Sequence, residues 1–151
     1  MKWPSVIAPV PVVWILLTIG CMEPSSSPLS PDPPRSKPVK FLFGMVDDAT
    51  GAENFVAVTE VPSVIATTRA ELRKELGSRI FHINGPIARG DDGDNLGWHW
   101  HHKPSDWDLA EVSIELCDGR PGNVEADLDY WVDQVGRFCP WGSRVLAELS
   151  E

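Results

Sequence analysis

Cysteine is scarce in this chain, with three in 151 residues, and no Cys-x-x-Cys occurs. There is no Gly-x-Ser-x-Gly and no His-Glu-x-x-His, so no hydrolytic motif announces a reaction. Nor does any recognisable motif set a pair of carboxylates for acid–base work. Clustered Lys and Arg are missing too. With 13 basic against 22 acidic residues the net charge is −9. That argues against nucleic acid and against an anionic membrane, because neutralising phosphates needs clustered cations. Solubility alone accounts for the acidic balance equally well. No internal repeat is present. These absences leave three function classes: a non-enzymatic binding module, a metal-binding protein, and a hydrolase of unknown type without a motif.

The N-terminus does carry a signal. Lys2 is followed by an apolar run from Val6 to Ile19, broken by Pro9 and Pro11. It is shorter than the ~20 residues of a membrane-spanning helix and fits a secretory signal. Leu17-Thr18-Ile19-Gly20-Cys21 resembles a bacterial lipobox, with Thr18 where Leu is usual. The spacing predicts a signal peptide over 1–20 and lipidation at Cys21. Plain secretion with a free Cys21, or a retained anchor, are the alternatives. Residues 21–39 are rich in Pro and Ser and read as an extended tether. The expected location is the cell envelope or the exterior, with membrane contact only through the lipid.

Setting Cys21 aside leaves Cys117 and Cys139. Two cysteines in an exported chain read as one disulfide. Its loop of about 23 residues would contribute roughly 3 kcal/mol in the entropy model. A zinc site using both thiolates and a histidine is the competing reading.

The densest stretch is 80–119, which holds all four histidines and three of the seven tryptophans. Trp98, Trp100 and His102 share one parity, and His99 and His101 the other. Val112, Ile114 and Leu116 then alternate with Glu111, Ser113 and Glu115. Two half-buried strands follow from that period of two. A three-residue loop, Pro104 to Asp106, would set Trp98 beside Val112, Trp100 beside Ala110 and His99 beside Glu111.

Elsewhere, residues 40–46 and 55–59 read as a strand hairpin around an Asp47–Gly51 turn. Pro62 opens a helix with a stripe of Ile65, Thr68 or Arg69, Leu72 and Leu76, stopping at Gly77. Arg69, Glu71, Arg73, Lys74 and Glu75 form its solvated face. Residues 80–83 read as a strand, with Asn84-Gly85-Pro86 a turn or bulge. Asn123 caps a second helix with a stripe of Val124, Leu128, Trp131, Val132 and Val135, ended by Gly136. Residues 143–149 form a last strand. The fold class is α+β: a single domain over 40–151, a mainly antiparallel sheet covered by two helices.

His99 and His101, two apart on one strand face, are positioned to chelate copper or zinc. Glu111 across the expected hairpin, or His82 from a neighbouring strand, would supply a third ligand. The loop 90–95 does not keep EF-hand spacing, which leaves only a looser calcium site of Asp91, Asp92 and Asp94. Trp98 and Trp100 are expected in the core. Trp107 and Trp141 are expected at the surface, against a protein or small ligand.

Several segments together resemble a known family. They are 55–59, Ile83-Asn84-Gly85-Pro86-Ile87, 95–100, 110–119 and Phe138-Cys139-Pro140-Trp141-Gly142-Ser143. The family is named after a eukaryotic calmodulin-binding protein, and the resemblance is to its N-terminal domain. It covers about residues 40–149 and brings no catalytic residues. The name implies calmodulin as a partner. Calmodulin targets are basic amphipathic helices with apolar anchors, whereas here the second helix is acidic and the first is mixed.

Overall fold

The computed structural model describes residues 37–150. The expected signal peptide, the expected lipidation site at Cys21 and the expected tether up to residue 36 lie outside the described residues. Val39, assigned above to the tether, already belongs to the first strand.

Strand β1 (Val39–Met45) alternates its apolar residues so that Phe41 and Phe43 are fully buried. It pairs antiparallel with β2 (Phe55–Thr59) through the expected hairpin. The turn between them is organised by Asp48. Its carboxylate accepts from the Thr50 amide and hydroxyl and from the Glu53 amide. Those bonds hold its pKa down at about 2. The last strand, β7 (Ser143–Leu149), matches its expected span and pairs with the other edge of β1, with a bulge between Leu42 and Phe43. These three strands make one sheet, ordered β2-β1-β7.

A second sheet is built on β3 (His82–Arg89), flanked by β4 (Trp100–His102), β5 (Asp108–Ala110) and the two-residue β6 (Arg137–Phe138). All its pairings are antiparallel. The α+β class holds, with the strands shared between a three-stranded and a four-stranded sheet. Asn84-Gly85-Pro86 is not a turn: β3 runs straight through it, and Pro86 stands opposite Arg137 of the short β6. Gly85 is required there. A Cβ at that position would lie 2.4 Å from the Trp107 Cβ and 2.7 Å from its Cα.

That close approach also explains why the expected hairpin does not form. Trp107 is buried between Phe41 and Phe43, edge-on to both rings, and its indole N–H donates to the Val58 carbonyl at 2.7 Å. Burying so large a ring outweighs a strand ladder of a few residues. The loop is therefore drawn inward, and β4 and β5 pair with different stretches of β3 instead of with each other. His102 stands opposite Ile87, and Ala110 opposite His82. The assignment of Trp107 to the surface is overturned.

The strand expected over 112–116 is absent. The chain bends at Glu111 and Val112, then makes one tight helical turn over Glu115–Cys117. Cys117 thereby reaches Cys139, and the expected disulfide is present, with a Cα–Cα distance of 5.1 Å.

Helix α1 (Pro62–Leu72) stops short of Gly77, so Leu76 is exposed. Its buried face is Val64, Ile65, Thr68 and Glu71. Glu71 is thus not solvated as expected. It is 2 % exposed and meets the Lys74 ammonium at 2.5 Å. The second helix is interrupted. Helix α2 (Pro121–Ala126) begins at Arg120, with Asn123 reaching back to the Arg120 amide from the third position. Helix α3 (Asp129–Val135) is π-wound and ends at Gly136, whose φ of 67° is the left-handed stop expected there. The predicted stripe survives the break: Val124 and Trp131 are buried, and Leu128, Val132 and Val135 pack against them. One core joins both sheets and the helices through Phe41, Phe43, Phe55, Trp100, Trp107 and Phe138.

Candidate functional site

The four metal-ligand candidates fall into two separate places. His82 and Glu111 both line one pocket. His99 and His101 are elsewhere. His99 is held by Glu125, at 2.5 Å through Nδ1 and again at its amide, and this carboxylate raises its pKa. His101 Nδ1 meets the Gly90 carbonyl at 2.8 Å. Glu111 is not across a hairpin from His99, because that hairpin is missing. Among the described residues no three His, Cys, Asp or Glu side chains converge on a metal-sized site. The acidic loop is structural: Asp91 accepts from the Gly93 amide and Asp94 pairs with Lys40. Asn95 is buried, linking the Val56 amide to the Trp100 carbonyl.

The remaining concave feature near the chemistry-bearing residues is a pocket of about 160 Å³ lined by Ile80, His82, Glu111, Val112, Trp141 and Arg144. It lies where the start of β3, the bend after β5 and the segment after Cys139 come together. The rim is open to solvent and mostly apolar, with the exposed Glu111 carboxylate in it. Val112 is 81 % exposed, Ile80 47 % and Trp141 42 %. Ile114 and Leu116 continue the exposed apolar run.

Two of its lining residues, His82 and Trp141, are tied together through Ser113, which is not itself in the lining. Ser113 Oγ receives the Trp141 indole N–H at 2.8 Å and lies 2.7 Å from His82 Nε2. With the indole donating to the hydroxyl oxygen, the hydroxyl proton is available to His82, which suits a neutral imidazole. Burial pushes the His82 pKa down, Arg144 adds to that, and Asp118 opposes it. The Trp141 backbone is fixed as well, its amide donating to Asp118 Oδ1 at 2.8 Å. The ring is therefore held on two sides.

Arg144 is pinned without an anion. Its Nε donates to the Arg79 carbonyl at 2.5 Å, and Nη1 donates to the carbonyls of Trp141 and Ser143. Arg79 behind it likewise donates to the carbonyls of Leu72, Lys74 and Val145. Arg69, Arg89 and Arg120, in contrast, all pair with carboxylates. Burial works against the Arg144 charge, and Glu71 supports it from a distance.

Residues 40–151 match the family model of the N-terminal domain of calmodulin-binding protein 74. The chain belongs to that domain family. Neither the curated proteins nor the solved structures contain a match to it. The family match starts one residue into β1 and takes in every later element through β7 and the disulfide. Sequence reasoning places Trp141, His82 and Glu111 at candidate sites, but it misses Ser113 and Arg144. Both occupy polar positions of alternating stretches, where facing solvent is the default. The one available signal is the short step from Trp141 to Arg144 in a segment returning to a cysteine.

Another concavity, of about 350 Å³, lies between the start of β1 and α1 and is lined by Lys37, Val39, Pro62, Ile65, Ala66 and Arg69. Among the described residues its lining includes no histidine, serine or carboxylate. Among the described residues no helix is long and apolar enough to cross a membrane.

Proposed function

We propose that this member of the calmodulin-binding-protein domain family is an exported, lipid-anchored, non-enzymatic binding module whose ligand enters the pocket beside Trp141. The observation that carries the reading is the pairing of an exposed, mostly apolar rim with pinned polar side chains. Exposed Val112, Ile80 and Trp141 share the pocket lining with His82 and Arg144, and Ser113 ties His82 to Trp141. Apolar walls with a few fixed polar groups are the usual make-up of a ligand site. Export is supported by the apolar run before Cys21 and by a disulfide, which persists in oxidising compartments.

Ser113 and His82 resemble a nucleophile and its base, yet two features speak for binding instead. The Ser113 oxygen is already engaged by the Trp141 indole, and the Asp118 carboxylate serves the Gly119 and Trp141 amides rather than orienting His82. A working nucleophile needs its base oriented by a third group. A fluorophosphonate probe should therefore leave Ser113 unlabelled, and stoichiometric labelling would replace this reading with a hydrolase.

The binding reading is tested by ligand-detected NMR on the full chain against a panel of small water-soluble fragments. Hits lost in Trp141→Ala are expected; hits that ignore that substitution would move the site elsewhere. Cys21→Ser should shift the protein from the membrane to the soluble fraction. A second reading, copper or zinc at His99 and His101, has one observation in its favour. Both Nδ1 atoms already have acceptors, which fixes Nε2 as the free ligand atom. Copper titration of wild type against His99→Ala/His101→Ala distinguishes it, with no difference expected if the pair serves only structure.

A further inference from the structure

Resting on the pocket reading above, we infer that its occupant is a small apolar carboxylate, bound head-first to Arg144 with its body against Trp141, Ile80 and Val112. Three observations lead there. The first is a guanidinium that no carboxylate among the described residues contacts, although buried Glu71 supports its charge from a distance. Arg144 spends Nε and Nη1 on backbone carbonyls, and among the described residues Nη2 makes no hydrogen bond. Carbonyls orient a guanidinium without neutralising it, so the group keeps its charge in a fixed pose. That pose is organised in advance to receive a carboxylate oxygen. Arg79, likewise held by carbonyls, places a second guanidinium next to it, its own carbonyl accepting from Arg144 Nε.

The second observation is the wall. The Trp141 ring is locked by its indole bond to Ser113 and its amide bond to Asp118, while the residue stays 42 % exposed. A rigid aromatic surface left open to water gains most from an apolar ligand, since little ordering remains to be lost on binding. The third is size. At about 160 Å³ the pocket is close to the ~150 Å³ cavity that holds a single benzene ring. A monocyclic or short branched body is enough to fill it.

Glu111 also lines the pocket. Its carboxylate opposes a bare anion and would welcome an ammonium on the same ligand. The shared chemistry is therefore an apolar carboxylate, and an α-amino group is the variable that Glu111 reads.

The probes are 3-phenylpropionate, phenylalanine and 2-phenylethylamine, each titrated into the full chain by calorimetry and ligand-detected NMR. Both carboxylates should bind, and the amine at least about tenfold more weakly, as expected for loss of a charge-assisted contact. Arg144→Gln should abolish carboxylate binding. Because Arg144 ties three carbonyls, circular dichroism must show that this variant is folded. Glu111→Gln, at the exposed rim, gives the independent check: affinity for 3-phenylpropionate should rise while the preference for phenylalanine over it shrinks. Equal binding of the amine, or no change with Glu111→Gln, overturns the carboxylate assignment and leaves a pocket for some other ligand. If no probe of any charge binds, the carboxylate inference and the pocket reading both fail.

Discussion

Residues 98–102 and 112–116 are built alike and end up in opposite surroundings. Each alternates large apolar side chains with polar ones. In the first, Trp100 and His102 are fully buried against Phe55 and Phe138. In the second, Val112, Ile114 and Leu116 are 81 %, 64 % and 60 % exposed. The difference lies in what stands opposite. The first segment has a ladder on β3 and an aromatic shelf from β2 and β6. The second has no strand to pair with and is pulled aside by the turn that carries Cys117 to Cys139. An apolar stripe is buried only when the rest of the chain supplies a lid for it. Where it does not, the stripe is available to something outside the chain.

That contrast can be broken from its buried side first. Trp100→Ala should cost about 3–5 kcal/mol, the range for removing a core aromatic, measured as a shift of the urea midpoint. A loss under about 1 kcal/mol would mean that the aromatic shelf is not the core. Next in size is the staple. Cys117→Ser/Cys139→Ser should lose roughly 3 kcal/mol and raise amide exchange over 111–118 more than over 98–102. Equal increases in both segments would erase the distinction between them.

His102 sharpens the comparison through pH. Burial among the rings holds its pKa down at about 3, with the charges of His101 and Arg137 pushing the same way. In the unfolded chain the imidazole takes its proton near 6.5. Stability is therefore fully present above that value and is lost as pH falls towards 3, at roughly 1.4 kcal/mol per pH unit between. His102→Phe should flatten this stretch of the stability curve, and an unchanged slope would assign the acid sensitivity to carboxylates. Smallest of all, Val112→Ser and Ile114→Ser should move stability by no more than about 0.5 kcal/mol while weakening ligand binding. A large destabilisation there would show that the rim is part of the core after all.

Much of the architecture is legible from the residues. Both flanking strands of the first sheet, the disulfide, the burial of Trp100 and the left-handed stop at Gly136 follow from alternation, cysteine counting and glycine placement. The failures share a cause. Trp107 reads as surface because its neighbours are polar, and only its fit against Gly85 and between two phenylalanines decides its position. Glu71 reads as solvated from its helical spacing, yet α1 turns it inward toward the side where Arg144 lies. The pocket is half visible. His82, Glu111 and Trp141 stand out for separate reasons, and their meeting depends on β5 pairing with the start of β3. Local periodicity does not report which strand lies next to which.

The bond between Cys117 and Cys139 encloses α2, α3 and β6 in a covalent ring. A peptidase that nicked the backbone anywhere between those two positions would release nothing, and both ends would stay sewn to the same body. The damage would become visible only after a reducing agent had opened the ring.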